Sequence, residues 1–234
     1  MTGRTPRKPG AIAVLLAATL AGCSTPLHSW DVHTSSTPRA TSLDPAVLAR
    51  EPVPSLGLAA PPGLQGFGPV LSRALSEALS QASPPIRGLA AYEVLSRLNE
   101  GGLAAEYGDL VAGFARSGIL ERQGLQRIGE ALGAPYVLQP GLAEYSQVVG
   151  DKFEAVGFKL LKTRLTTLRV WLQLWDTRTG QIVWESSGEV TVAAQLLTQE
   201  SAVALYDIAQ RLWSRMIQDD LLAGGTRSRF LFLR

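Results

Sequence analysis

Along residues 164–176 the side chains alternate without a break. Leu168, Val170, Leu172 and Leu174 fall on one side of the strand that this period implies. Thr167, Arg169, Trp171, Gln173 and Trp175 fall on the other. Such a run settles only inside a sheet, where its backbone groups are paired and its row of leucines is covered. Asp176-Thr177-Arg178-Thr179-Gly180 follows with turn chemistry, Gly180 being free to take positive φ. Residues 181–194 return as the partner strand. Residues 136–149 form a third extended stretch, in which Pro140 and Gly141 mark a bend or an edge.

The chain before and after this region has a helical period. Residues 66–82 place Phe67, Val70, Leu71, Ala74, Leu75, Ala78 and Leu79 on one face, and Pro84-Pro85 ends the run. Helices are also expected at 89–98, 103–117, 122–132 and 200–222, the last burying Ala204, Ile208, Leu212, Trp213 and Met216. Residues 53–59 read as a first short strand and 86–88 as another. The order predicts one α/β domain: a mixed sheet with a late antiparallel three-stranded portion and helices packed on it. Trp184 joins one face or the other according to whether the turn carries a bulge at Gly180.

Ahead of the domain, Arg4, Arg7 and Lys8 precede an apolar stretch at 11–20, then Ala21, Gly22 and Cys23. Charged, apolar and small residues in that order make a secretory signal. The apolar run is shorter than the roughly 20 residues of a spanning helix. Leu20-Ala21-Gly22-Cys23 resembles the lipobox of bacterial lipoproteins. That resemblance implies cleavage before Cys23, lipid on its thiol and amino terminus, and attachment to a membrane. Ser24, not Asp, follows, which in that pattern implies the outer membrane, facing the periplasm. The expected division is a signal at 1–22, a flexible Ser/Thr/Pro-rich tether at 23–45, the α/β domain at 46–225 and a tail at 226–234.

Charge and cysteine content remove several functions. The chain has 22 Lys+Arg against 20 Asp+Glu, and three of the basic residues lie in the signal. The mature chain is therefore close to neutral, with no basic excess for nucleic acid. Cys23 is the one cysteine, so neither a disulfide nor a thiolate metal site is expected once it is lipidated. His28 and His33 lie in the expected tether and read as solvated residues. With no histidine at 46–225, no phosphate loop and no dinucleotide fingerprint, the reading assigns no catalytic residue, metal or cofactor. Asp219-Asp220 reads as a solvated helix end.

Three places suit a partner. Trp171 and Trp175 share the face opposite the leucines and are either an exposed pair or covered by helices. A loop at 150–162 holds Lys152, Phe153, Phe158, Lys159 and Lys162, a basic and aromatic set for an anionic headgroup, a glycan or a protein. The tail holds Phe230 and Phe232 between arginines and could add a strand to a sheet edge, in this chain or a neighbour.

The stretch 120–138 (LERQGLQRIGEALGAPYVL) followed by the strand, turn and strand of 176–184 (DTRTGQIVW), behind a lipobox, resembles periplasmic lipoproteins built on the fold of the TolB amino-terminal domain. That group includes the curli secretion lipoprotein, the Pel polysaccharide lipoprotein and the lipoprotein activator of a penicillin-binding protein. The resemblance spans about residues 50–222. It implies a non-enzymatic accessory or scaffold in envelope assembly or export, with a homo-oligomer among the forms open to it. A subunit of a secretion channel and an envelope glycan-processing enzyme are the alternatives. The channel reading meets an obstacle, because 149–162 has room for one loop and not for two membrane hairpins.

Overall fold

In the computed structural model of the chain the described residues are 28–153, 159–196 and 203–224, with 151–153, 159–162 and 195–196 described by their backbone alone. The centre is an antiparallel sheet of four strands: β1 (His28–Ser36), β4 (Tyr136–Phe153), β5 (Lys159–Asp176) and β6 (Gln181–Leu196). Their spatial order is β1-β6-β5-β4. Two short strands, β2 (Val53–Pro54) and β3 (Gly88–Leu89), pair in parallel. Ser55 and Ala59, just after β2, bridge in parallel to Leu138 and Gly141 of β4. Pairing of both senses is thus present, as the mixed α/β reading requires.

The alternation of β5 sets the core. Leu168, Val170, Leu172 and Leu174 are all 2% exposed or less. They pack under α2 (Gly68–Ser80) and α6 (Leu205–Arg215), which lie on the same face of the sheet. From α2 come Leu71, Ala74, Leu75, Ala78 and Leu79, the three- and four-residue spacing of one helical face. From α6 and the π-helical stretch that continues it (Met216–Leu222) come Ile208, Leu212, Trp213, Met216, Ile217 and Leu221. Ala204 caps that helix in an extended conformation and is exposed, so it is not part of the buried face. α6 approaches β6 so closely that a Cβ on Gly188 would stand 2.8 Å from Leu212 Cδ1 and 2.9 Å from Met216 Sδ.

The opposite face carries a second core under α3 (Ala91–Glu100), α4 (Ala104–Ser117) and α5 (Arg122–Leu132). Helix α5 matches its sequence expectation at both ends for local reasons. Glu121 accepts from the amides of Gln123 (2.9 Å) and Gly124 (2.8 Å), satisfying donors that a first helical turn leaves free. Gly133 takes φ 61° just past the last turn, where a side chain would be strained.

Two expectations about the course of the chain need correction. The tether does not extend to residue 45, because His28–Ser36 forms β1 and pairs with β6 from His28↔Ala194 to Ser36↔Ser186. Trp30 and Val32 pack on the first core, while Ser29, Asp31 and His33 are exposed. An edge strand needs only one apolar face, and two apolar residues two apart are easily overlooked among serines and threonines. After it, Asp44 caps α1 (Pro45–Arg50), accepting from the Ala46 amide at 2.9 Å, and Leu43 is buried. The second correction concerns the loop at 150–162. β4 runs on to Phe153 and β5 begins at Lys159, so the two form a long hairpin paired out to Phe153↔Lys159.

Candidate functional site

The face opposite the leucines is not uniform, and each candidate residue depends on where along it the residue stands. Near the 176–181 turn the helices cover it. Val137 is 0% and Trp175 3% exposed, in one core with Leu110, Phe114, Leu125 and Ile128. The Trp175 indole N–H donates to Gln173 Oε1 at 3.1 Å. Trp171 is half-buried, its ring centroid 5.9 Å from that of Phe114. A Cβ on Gly141 would overlap the Trp171 indole, so glycine at that position of β4 makes room for the ring. Of the two open readings, burial under helices is observed for Trp175, which is not available to a partner, while Trp171 is covered only in part.

A register shift between Leu174 and Trp175 fixes Trp184 as well. Trp184 stands opposite Leu174, and Ile182 opposite Trp175. Trp184 therefore joins the leucine face and is 1% exposed.

The turn is held from within. Asp176, 3% exposed, accepts from the amides of Arg178 (2.8 Å) and Thr179 (3.1 Å) and from the Arg178 guanidinium (3.2 Å). Burial pushes its carboxyl upward, but these donors together outweigh burial and leave it below the usual range. The Thr177 hydroxyl donates to the carbonyls of Ala134 (2.9 Å) and Pro135 (3.1 Å), tying the turn to the loop after α5.

Farther along the same face the helices stop and the surface turns polar. Arg169 on β5 donates to Glu144 of β4 (2.8 Å) and Glu189 of β6 (2.7 Å). The hydrogen bond and charge of Glu189, with the charge of Glu144, hold its guanidinium above the ordinary value. His33 of β1 stands opposite Glu189 and pairs with Asp31 at 2.9 Å. One row across all four strands thus reads Glu144, Arg169, Glu189, His33. Both histidines lie in β1, not in a linker.

Beyond this row the exposed side chains become apolar. Val148 and Leu165 stand opposite each other and are 60% and 43% exposed. Val149, on the other face, is 53% exposed. At the end of the hairpin, Lys152 is opposite Leu161 and Phe153 opposite Lys159. Cys23, Phe158, Phe230 and Phe232 lie outside the described residues.

Asp220 corrects the reading of the Asp219-Asp220 pair. Asp219 is exposed beside Arg215 (3.7 Å). Asp220 is 5% exposed and accepts from Ser186 Oγ of β6 (3.0 Å) and Thr34 Oγ1 of β1 (3.4 Å). Burial raises its carboxyl above the usual range, and the two hydroxyls offset only part of that. The side chain joins two strands to the last helix.

No group of three or more metal-ligating side chains occurs among the described residues. A groove lined by Pro45, Ala46, Ser83, Pro84, Gln218, Leu222 and Ala223 holds no ionisable side chain.

No protein-family model matches the chain, and no curated protein matches it. Among solved structures it is similar to the PelC dodecamer from Paraburkholderia phytofirmans, at 16% identity over 80% of this chain and 95% of that one, with a TM-score of 0.42. It is also similar to lipoprotein GNA1162 from Neisseria meningitidis, at 17% identity over 75% of this chain and 99% of that one, TM-score 0.40. A PDZ domain protein from Parabacteroides distasonis shares 10% identity over 86% of this chain and 38% of its own length, TM-score 0.34. Likenesses this distant carry no argument about what the chain does.

Proposed function

We propose that the chain is a bacterial lipoprotein, held to the outer membrane by lipid on Cys23, that works as a non-enzymatic accessory or scaffold in envelope assembly or export. The observation that carries this reading is the charged, apolar and small-residue order ending in Leu20-Ala21-Gly22-Cys23. The first described strand starts at His28, five residues after Cys23 in the sequence. Several acyl chains on one cysteine hold far more firmly than one, since each buried CH₂ contributes about 0.8 kcal/mol.

The channel alternative gains no support from the hairpin. Its arms beyond the core approach the roughly 9–11 residues of a membrane strand. One face of the outgoing arm nevertheless reads Glu144, Ser146, Val148 and Gly150, and the other Tyr145, Gln147 and Val149. Neither is an apolar band. The enzyme alternative needs converging carboxylates. Glu144 and Glu189 face each other only across Arg169, which bridges them, and Asp220 meets hydroxyls.

The test is Cys23→Ser in the full chain. The expected result is an uncut precursor or a domain released from the membrane fraction. Normal cutting before residue 23 with unchanged membrane attachment would overturn the reading. Self-assembly belongs to the same proposal and is measured by light scattering on the chain from Ser24 onward. A shorter piece starting at 46 would strip β1 from the sheet.

A further inference from the structure

We propose that the tail, residues 226–234, adds a fifth strand to the sheet, running antiparallel to β1 along its outer edge. Such a strand would form whether or not Cys23 carries lipid.

β1 is an edge of the kind that folded proteins cover or blunt. The strand order β1-β6-β5-β4 leaves its outer side without a partner strand among the described residues. Pairing to β6 runs from His28↔Ala194 to Ser36↔Ser186 with no register shift, so no bulge turns the edge away. The strand contains neither proline nor lysine. The direction of its backbone follows from the Thr37 amide, which donates to the Glu185 carbonyl at 2.9 Å in the same register. Odd-numbered positions of β1 therefore turn their backbone groups toward β6, and Trp30, Val32 and Thr34 turn theirs outward. Trp30 and Val32 pack on the first core but are only half-buried, which leaves apolar surface at the edge.

The chain leaves its last helix beside this edge. Arg39, three residues after β1, donates to the carbonyls of Leu221 (3.0 Å) and Leu222 (3.1 Å). Thr34 of β1 donates to Asp220 at 3.4 Å. Gly224 takes φ 69° and packs so close to Arg39 that a Cβ there would stand 2.6 Å from Nη2. The last described residue thus lies toward the Ser36 end of β1. A strand that starts there and follows β1 runs toward His28, against its direction. β4 forms the other edge, about 14 Å away across the sheet, and Ser55 and Ala59 already bridge its first half. At about 3.3 Å per residue, residues 226–234 can follow β1 over its whole length.

The composition of the tail suits both faces of this edge. In the register that sets Phe232 beside Trp30, Phe230 stands beside Val32, and the two rings extend the leucine face where it is half-covered. Arg229 then stands beside His33, on the outer face with Asp31 and Glu189. Leu233 stands beside Ser29, in the row that continues through Ala193, Leu165 and Val148.

The test is amide hydrogen exchange, resolved residue by residue by nuclear magnetic resonance. It compares the chain from Ser24 onward with the same chain ending at Gly224. The amides of Asp31 and His33 face β6 and report that β1 is in place. In the longer chain the amides of Trp30, Val32 and Thr34 should be protected as well. Without the tail these three should exchange at least about tenfold faster, while Asp31 and His33 keep their rates. If fast exchange at Asp31 and His33 shows that the shortened chain has lost its fold, the double variant Phe230→Ser, Phe232→Ser replaces it with the same expectation. Fast exchange at 30, 32 and 34 in the longer chain would overturn the proposal. So would protection that survives removal of the tail. Light scattering gives the mass of the same sample. Protection that disappears on dilution, together with a dimer mass, would assign the edge to a second copy and overturn pairing within one chain.

Discussion

Two halves of one sheet face obey the same alternation and end up in opposite environments. Near the 176–181 turn, Trp175 and Val137 are core residues under α4 and α5. Three and four steps of the alternation away, Arg169 is exposed and bridged to Glu189, and Thr167 is half-buried beside the Thr191 hydroxyl at 3.3 Å. A period of two says which residues share a face. It does not say what lies over that face, because the covering helices come from another part of the chain. A tryptophan is therefore ambiguous on such a strand until α3 to α5 have been placed.

That contrast can be broken, and the largest test is Trp175→Ala. As a core residue Trp175 should cost about 3–5 kcal/mol on truncation, read as a lower urea midpoint. An unchanged midpoint would return it to the surface and undo the division of the face. On the leucine face the corresponding test is Gly188→Val, where new methyls meet Leu212 and Met216. Overpacking should cost about 1–3 kcal/mol, and no loss would mean that α6 sits farther from β6 than described.

Asp220→Asn probes the seam where β1, β6 and the last helix meet. A carboxyl whose folded pKa is raised binds its proton more tightly in the fold than in the unfolded chain. Its contribution to stability therefore falls as pH rises through the unfolded value of 3.8 toward the folded one, and stays at the lower level above it. The variant should be at least as stable as the parent at neutral pH, and its advantage should shrink as pH falls from the folded pKa to the unfolded one. An advantage that grows on acidification would refute a buried, upward-shifted Asp220. The smallest effect is expected for Arg169→Gln on the open half of the face. Any loss there should vanish in high salt, since exposed ion pairs are screened. A loss that survives salt would show that this half is covered too.

How much of this was legible in the sequence follows the range of the signal. The strand residues 168–174 and helix α5 were readable because periodicity, cap and stop lie within a few residues of one another. Three features escaped. β1 is drawn from Ser/Thr-rich sequence, and its partner lies 150 or more residues away. The parity of β4 changes at a register shift between Leu142 and Glu144, which moves Val148 to the face opposite Leu142. The buried Asp220 stands four residues after Met216, on the inward side of the helix. Helical arithmetic alone would have found it, but the neighbouring Asp219 made the pair look like a solvated end.

β1 also determines how the molecule bears load. In the lipoprotein proposed above, a pull on Cys23 arrives at His28 and runs along the strand axis, toward the end at which β1 enters the sheet. The ladder to β6, nine residues long, then resists in shear, with its hydrogen bonds loaded together and not opened one by one. Trp30 under the Arg211 guanidinium, 4.2 Å from its ring centroid, and Thr34 on Asp220 pass part of that load to the last helix. A domain dragged by its anchor would hold until most of this strand gave way at once.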